Sequence, residues 1–205
     1  MLHCDLVRLL MALSTAVCLY AQENPNHTSN LTERYRVEVE LLRLENPNGI
    51  SLDGQACDPL SLGCNTKISA YLDTDLFSPW PGSREITQED LIFEAAEPSP
   101  TSMDVNTKIV NQVCAPSFQG FNLRVEVKDE DKLVLFRGQD DIISAFNCLY
   151  NEPPADSEEL SQWSNSTFCQ QVTIQPSISL SFRARAFREA GDTSCALEEA
   201  NPTTS

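Results

Sequence analysis

The chain has 205 residues, 41% of them hydrophobic, and a formal net charge of −16. That length and apolar content suit a single domain of ordinary size with a real core. The acidic balance argues against nucleic acid, whose phosphates need Lys and Arg partners. It also argues against direct attraction to anionic lipid unless a cation bridges the two.

Met1 to Arg8 is followed by an apolar run, Leu9 to Tyr20, of signal-peptide length and too short to cross a bilayer. Leu19-Tyr20-Ala21 offers cleavage after Ala21, so residues 1–21 are expected to be a signal peptide and the mature protein to be secreted and extracellular, with no transmembrane segment. Cys4 and Cys18 leave with that segment. Cys57, Cys64, Cys114, Cys148, Cys169 and Cys195 remain, an even set that predicts three disulfides whose pairing is open. None of them forms a C-x-x-C pair, so the spacing does not suggest zinc. Residues 22–33 are polar, without periodicity, and carry sequons at Asn26 and Asn30; a third stands at Asn165. All three are expected to be glycosylated on surface segments, and 22–33 to be a disordered lead-in.

Tyr35, Val37, Val39 and Leu41 alternate with Arg36, Glu38 and Glu40, the period of a half-buried strand. Leu42 and Leu44 shift the apolar face by one, which predicts a bulge. Asn46-Pro47-Asn48-Gly49 then ends the strand. A polar loop bearing Cys57 and Cys64 leads to a second strand, Thr66 to Leu72. Asp73 to Glu89 reads as loop, Asp90 to Ala95 as a short strand, Pro98 to Asp104 as a turn, and Thr107 to Val113 as a strand. Gly120 to Val127 alternates cleanly, with Phe121, Leu123, Val125 and Val127 expected inward and Asn122, Arg124 and Glu126 outward. Lys128 to Asp131 reads as a tight acidic loop, Leu133 to Phe136 as a strand, Gly138 to Asp141 as a turn, and Ile142 to Tyr150 as a strand or short helix. Acidic, Pro-bearing Asn151 to Asn165 reads as an exposed loop. Gln170 to Ile174 and Ile178 to Phe187 are the last strands, and 189–205 is a polar tail. Short strands at close spacing without a long helical period predict an all-β fold, a single antiparallel β-sandwich spanning residues 34–188.

The two histidines, His3 and His27, lie in the signal segment and in a sequon, so a Ser/His or Cys/His nucleophile pair has no base within the sandwich. No Gly-rich phosphate cradle is present, and no carboxylate pair stands out from solvated surface charge. The chain is therefore expected not to be an enzyme. The one constellation with a chemical use is Asp129 and Asp131, which could face Asp58 or Asp53 from the first long loop and Asp73 or Asp75 after the second strand. Calcium takes several carboxylate and carbonyl oxygens converging from loops, so Asp58, Asp129 and Asp131 are the candidate ligands. Arg124, Arg183 and Arg185 read as an exposed sheet face.

The runs V-E-V-E-L-L-R-L-E-N-P-N-G, G-Q-A-C-D and C-N-T-K-I-S-A-Y-L, with S-F-Q-G-F-N-L-R-V-E-V-K-D later, resemble the N-terminal domain of Notch ligands, the Delta/Serrate/Jagged family. The resemblance covers about Tyr35 to Phe187. It implies a disulfide-stapled β-sandwich of the C2 type and a role in Notch-pathway cell–cell signalling, through a Notch-like receptor or a phospholipid or glycolipid surface. Departures are clear: Tyr71 stands where the family has a cysteine, and the DSL module and EGF repeats that follow in Notch ligands have no counterpart in this sequence. A bond between Cys57 and Cys64 would stiffen the first loop, which with the Asp129–Asp131 turn is the expected contact region. A second bond is expected between Cys148 and Cys169. The alternative expectation is a secreted calcium-dependent lipid- or glycan-binding sandwich outside Notch signalling.

Overall fold

The computed structural model describes residues 32–57, 63–96, 102–130, 140–189 and Cys195. Among these, the strands are β1 (Glu33–Glu45), β2 (Thr66–Asp73), β3 (Leu91–Glu94), β4 (Ser102–Ala115), β5 (Phe121–Asp129), β6 (Asp141–Tyr150), β7 (Thr167–Phe168), β8 (Gln170–Gln171) and β9 (Ser179–Arg188), with one 3-10 turn at Gln88–Asp90. They build two sheets in the orders β4-β1-β9-β7 and β3-β2-β5-β6-β8, every strand pairing antiparallel. The core lies between the sheets. Tyr35, Val37, Val39 and Leu41 of β1 and Leu180, Phe182, Ala184 and Ala186 of β9 close it from one side, and Phe121, Leu123, Val125 and Val127 of β5 with Phe146 and Cys148 of β6 from the other. Period-two apolar spacing is what allows each strand to bury one face.

The register slips between Leu41 and Arg43 on both sides of β1. The bulge predicted at Leu42 thus returns Leu44 to the core, where it is buried. On β4 the same slip is accommodated around Asn106, whose φ of 45° is tolerated best by Asn and Gly. The 142–150 segment is a strand, because its partner β5 supplies a full ladder from Phe121–Tyr150 to Asp129–Asp141.

Four expectations change. Ser102 to Asp104, read as part of a turn, pair with Glu45 to Arg43 and begin β4. Lys128 and Asp129, read as loop, extend β5 because Lys67 and Thr66 stand opposite them. The Gln170–Ile174 strand is only two residues, after which Gln175 turns the chain. Arg124 and Asn122, expected on an exposed face, are 1% and 5% exposed, because a long connection covers that face. The expected strand at Leu133–Phe136 and most of the 138–141 turn lie outside the described residues.

Three disulfides close Cys57–Cys64, Cys114–Cys195 and Cys148–Cys169. The first and third are the bonds expected. The second ties the residues after β9 back to the end of β4. Among the described residues no helix is long and apolar enough to cross a membrane.

Candidate functional site

Antiparallel pairing sorts the connections between two ends of the sandwich. The pairs Glu45–Ser102, Glu45–Ser179, Thr66–Asp129, Lys67–Glu94 and Asp129–Asp141 put the β1–β2, β3–β4, β5–β6 and β8–β9 connections at one end. The β2–β3, β4–β5 and β6–β7 connections lie at the other.

At the first end, main-chain and side-chain bonds lock the disulfide-bearing loop to its neighbours. Leu52 N–H donates to the Ile142 carbonyl at 2.7 Å, and the Gln175 amide donates to the carbonyls of Ser51 and Leu52 at 3.1 and 2.9 Å. Both sulfur-bearing residues of the Cys57–Cys64 bond are 2% exposed, so the bond is an internal pin. Asp129 closes β5 with its carboxylate 2.6 Å from the Asn65 N–H it accepts, and Glu130 N–H donates to the Asn65 carbonyl at 2.9 Å. Glu130 also pairs with Lys67 at 2.5 Å. Asp129 is thus 1% exposed and helps fasten the β1–β2 loop to the end of β5. Asp58 and Asp131 lie outside the described residues, and among the described residues no three His, Cys, Asp or Glu side chains cluster as a metal site. Asp73 and Asp75 belong to the opposite end. Ile174, 81% exposed, stands on this end, and half-exposed Ile142 lines a surface hollow there with exposed Asp53 and Asp140.

At the second end, β2 carries buried residues on both faces. Ile68 and Ala70 face the core, while Tyr71 and Asp73 lie in register with Arg124 and Asn122 on the outer face. The β2–β3 connection folds over that face, and Arg124 holds it there. Its Nε donates to Asp73 Oδ2 at 3.1 Å, Nη1 to Asn147 Oδ1 at 2.7 Å, and Nη2 to the carbonyls of Asp75 and Ser78 at 3.3 and 2.7 Å. A guanidinium taken out of water must have its donors satisfied and its charge paired; here both conditions are met by the loop and its base. Burial opposes ionisation of Asp73, yet Ser83, the Asp75 N–H and Arg124 hold its carboxyl below the usual carboxylate range. The Tyr71 hydroxyl bridges the carbonyls of Pro81 and Arg84 at 2.9 and 3.0 Å. Arg84 stacks on the Tyr71 ring at 4.0 Å and forks onto Asp90 through two bonds of 2.8 and 2.6 Å. Arg84, together with the Thr87 N–H and hydroxyl, holds Asp90 at about 2 although burial pushes the other way.

Gly82 completes this junction. Its φ is +106°, and a Cβ there would run into the Tyr71 hydroxyl and Asp73 Oδ2 and stand 2.8 Å from Arg124 Nε. Gly82→Ala is expected to cost about 1–3 kcal/mol, through both the left-handed backbone and the displaced polar network. Urea unfolding monitored by tryptophan fluorescence measures it, and an unchanged midpoint would contradict the packing described.

The outer face of the other sheet, expected to be exposed at Arg183 and Arg185, is an ion-pair array that leaves the Arg183 side chain 40% and the Arg185 side chain 16% exposed. Arg183 and Arg185 both lie against the Trp163 ring, 4.9 and 5.1 Å from its centroid, with Lys108 at 5.7 Å. Their charges are matched by Glu40 and by Glu38, which is 1% exposed. Matched in this way, the arginines make no net basic patch. Asn165 is exposed between β6 and β7, in a position open to glycosylation; Asn26 and Asn30 lie outside the described residues.

Comparison with known proteins bears on the fold. No family model and no curated protein matches the sequence. Among solved structures, the chain is similar to a C2 domain protein from Ramazzottius varieornatus, at 25% identity and a TM-score of 0.66, over 80% of this chain and 94% of that one. A Drosophila C2-DSL-EGF1 structure overlaps at 16% identity and a TM-score of 0.46, over 75% and 67% of the two chains. A C2 domain of plant Extended Synaptotagmin 1 overlaps at 12% and 0.49, over 76% and 96%. The two antiparallel sheets and the first of these likenesses make the chain an all-β sandwich of the C2 type.

Proposed function

We propose that this chain is a secreted, non-catalytic binding module that works in cell–cell contact as the Notch-ligand N-terminal domain does, engaging a Notch-like receptor or a lipid surface through its disulfide-pinned end. The observation that supports this reading most is the convergence of the β1–β2, β5–β6 and β8–β9 connections on one end, fastened by Cys57–Cys64, Asn65–Asp129 and Gln175. A loop held in place before binding loses less conformational entropy when it binds. Three disulfides suit an oxidising, extracellular compartment. The absence of histidine from residues 28–205 leaves acyl-transfer chemistry without its usual base.

The second reading is cation-bridged lipid or glycan binding outside Notch signalling. It is favoured by exposed Ile142 lining one surface hollow with Asp53 and Asp140, an apolar side chain rimmed by acid, at the end where Ile174 is also exposed. In it, Asp58 and Asp131 would contribute carboxylates to calcium, while buried Asp129, engaged by the Asn65 N–H, would hold the loop rather than the ion. Biolayer interferometry against a Notch ectodomain, with co-sedimentation on phosphatidylserine vesicles with and without calcium, separates the two. Saturable binding to the ectodomain is expected. Calcium-dependent vesicle binding with no affinity for the ectodomain would replace the first reading with the second.

A further inference from the structure

The β2–β3 connection carries a feature that the pinned end does not explain. Phe77 is 93% exposed, at the crest of the run Leu76-Phe77-Ser78-Pro79-Trp80. Its neighbours Leu76 and Trp80 are half-buried, whereas Phe77 projects into solvent. Yet its backbone is held on both sides. The Phe77 and Ser78 N–H groups both donate to Asp75 Oδ1 at 3.2 Å, and the carbonyls of Asp75 and Ser78 both accept from buried Arg124. An unused apolar side chain on a slack loop is ordinary; one presented by a crest tied to a fully buried arginine is preorganised, with little ordering entropy left to lose on docking. Leu149, 51% exposed, stands in the same row as the base of this loop, since Asp73, Asn122 and Leu149 are consecutive partners across β2, β5 and β6.

We propose that Phe77 is the anchor of a second docking surface, at the end opposite the disulfide-pinned loop, that inserts into an apolar pocket on a protein partner whose rim is basic. The rim follows from charge. Asp75 is exposed two residues from Phe77, and Glu85 and Glu89 are exposed further along the same β2–β3 connection, whose one cation, Arg84, is forked onto Asp90. An acidic connection of this kind is repelled by anionic bilayers and complements Lys and Arg on a protein. A second copy presenting the same crest would set acid against acid, so the partner is a different chain. This rests on reading the chain as a binding module, but not on Notch being the receptor.

The test uses the full mature chain, fluorescently labelled, on cells displaying a Notch ectodomain, on the same cells without it, and on phosphatidylcholine and phosphatidylserine vesicles. Phe77→Ser is compared with Leu160→Ser, a leucine that is also solvent-facing, at 67% exposure. Phe77 makes few contacts to lose, so the thermal midpoint should move by no more than about 2 °C. Cell binding should weaken at least about tenfold with Phe77→Ser and with the double variant Glu85→Lys/Glu89→Lys, stay unchanged with Leu160→Ser, and disappear when cell-surface protein is trimmed by protease. Phe77-dependent, protease-sensitive binding on cells without Notch would support the surface and overturn the Notch reading alone. Binding that ignores Phe77, Phe77-dependent binding to vesicles, or no cell binding at all would each overturn the proposal.

Discussion

Replacing Arg124 with methionine is expected to be the most damaging single change outside the apolar core. Methionine keeps most of the volume, so the effect isolates the charge and its bonds. Arg124 is 1% exposed and supplies bonds to Asp73, Asn147, Asp75 and Ser78. Without it, Asp73 remains buried next to an apolar chain, and two main-chain carbonyls of the β2–β3 connection lose their donor. Removing one partner of a buried ion pair costs roughly 3–5 kcal/mol, because the other charge is left uncompensated. For a domain of this size that lowers the thermal midpoint by roughly 10 °C. Arg124→Lys keeps the charge but cannot reach three directions at once, so it should fall between wild type and Arg124→Met. Asp73→Asn added to Arg124→Met should recover part of the loss, since the uncompensated charge goes with it. Differential scanning calorimetry on the three variants decides the matter. A drop under about 3 °C for Arg124→Met would mean that the guanidinium does not carry the loop.

That residue also marks where the sequence stops being readable. The alternation Phe121, Leu123, Val125, Val127 gave the inward face of β5 directly, and the structure buries all four. Alternation carries no information on whether the other face is open, so Arg124 read as solvated. The signal that was present lay in β2: Tyr71 interrupts an otherwise apolar-in, polar-out pattern, and an aromatic out of phase on a central strand needs cover of its own. The bulge at Leu42 was legible because two leucines out of phase have one cheap solution. The extent of β4 and β5 was not, since Ser102 to Asp104 and Lys128-Asp129 have turn-like composition and are strand only because partners stand opposite them. Tyr71 sits where the resembling family has a cysteine; here its hydroxyl holds Pro81 and Arg84, so the loop is fastened by hydrogen bonds. The end that presents the pinned loop could be foreseen from Cys57 and Cys64. The opposite end could not, because Phe77 gains its meaning only from the buried support beneath it.

Stability in acid should depend on Glu38 more than on any other described carboxylate. Burial alone would raise its pKa, but bonds from Lys108, Arg185 and Arg36 outweigh burial and bring it to about 2 from 4.5. Because the folded value lies below the unfolded one, the stabilisation is fully present above about pH 4.5 and is lost as the pH falls through about 2. A shift of that size corresponds to at most about 3 kcal/mol, and Lys108 and Arg36, partly open to solvent, reduce it. Asp90, also near 2, and Asp73, also lowered, act in the same direction. Glu38→Gln keeps the shape and removes the titration. Wild type and Glu38→Gln are therefore expected to differ most near neutral pH and to converge as the pH approaches 2, in guanidinium unfolding measured at intervals between pH 7 and pH 2. High salt should narrow the neutral-pH gap, since the three cations reach solvent to different degrees. Two stability curves running parallel across that range would show that Glu38 titrates no differently in the folded and unfolded chain, and that its three partners do not act on its charge.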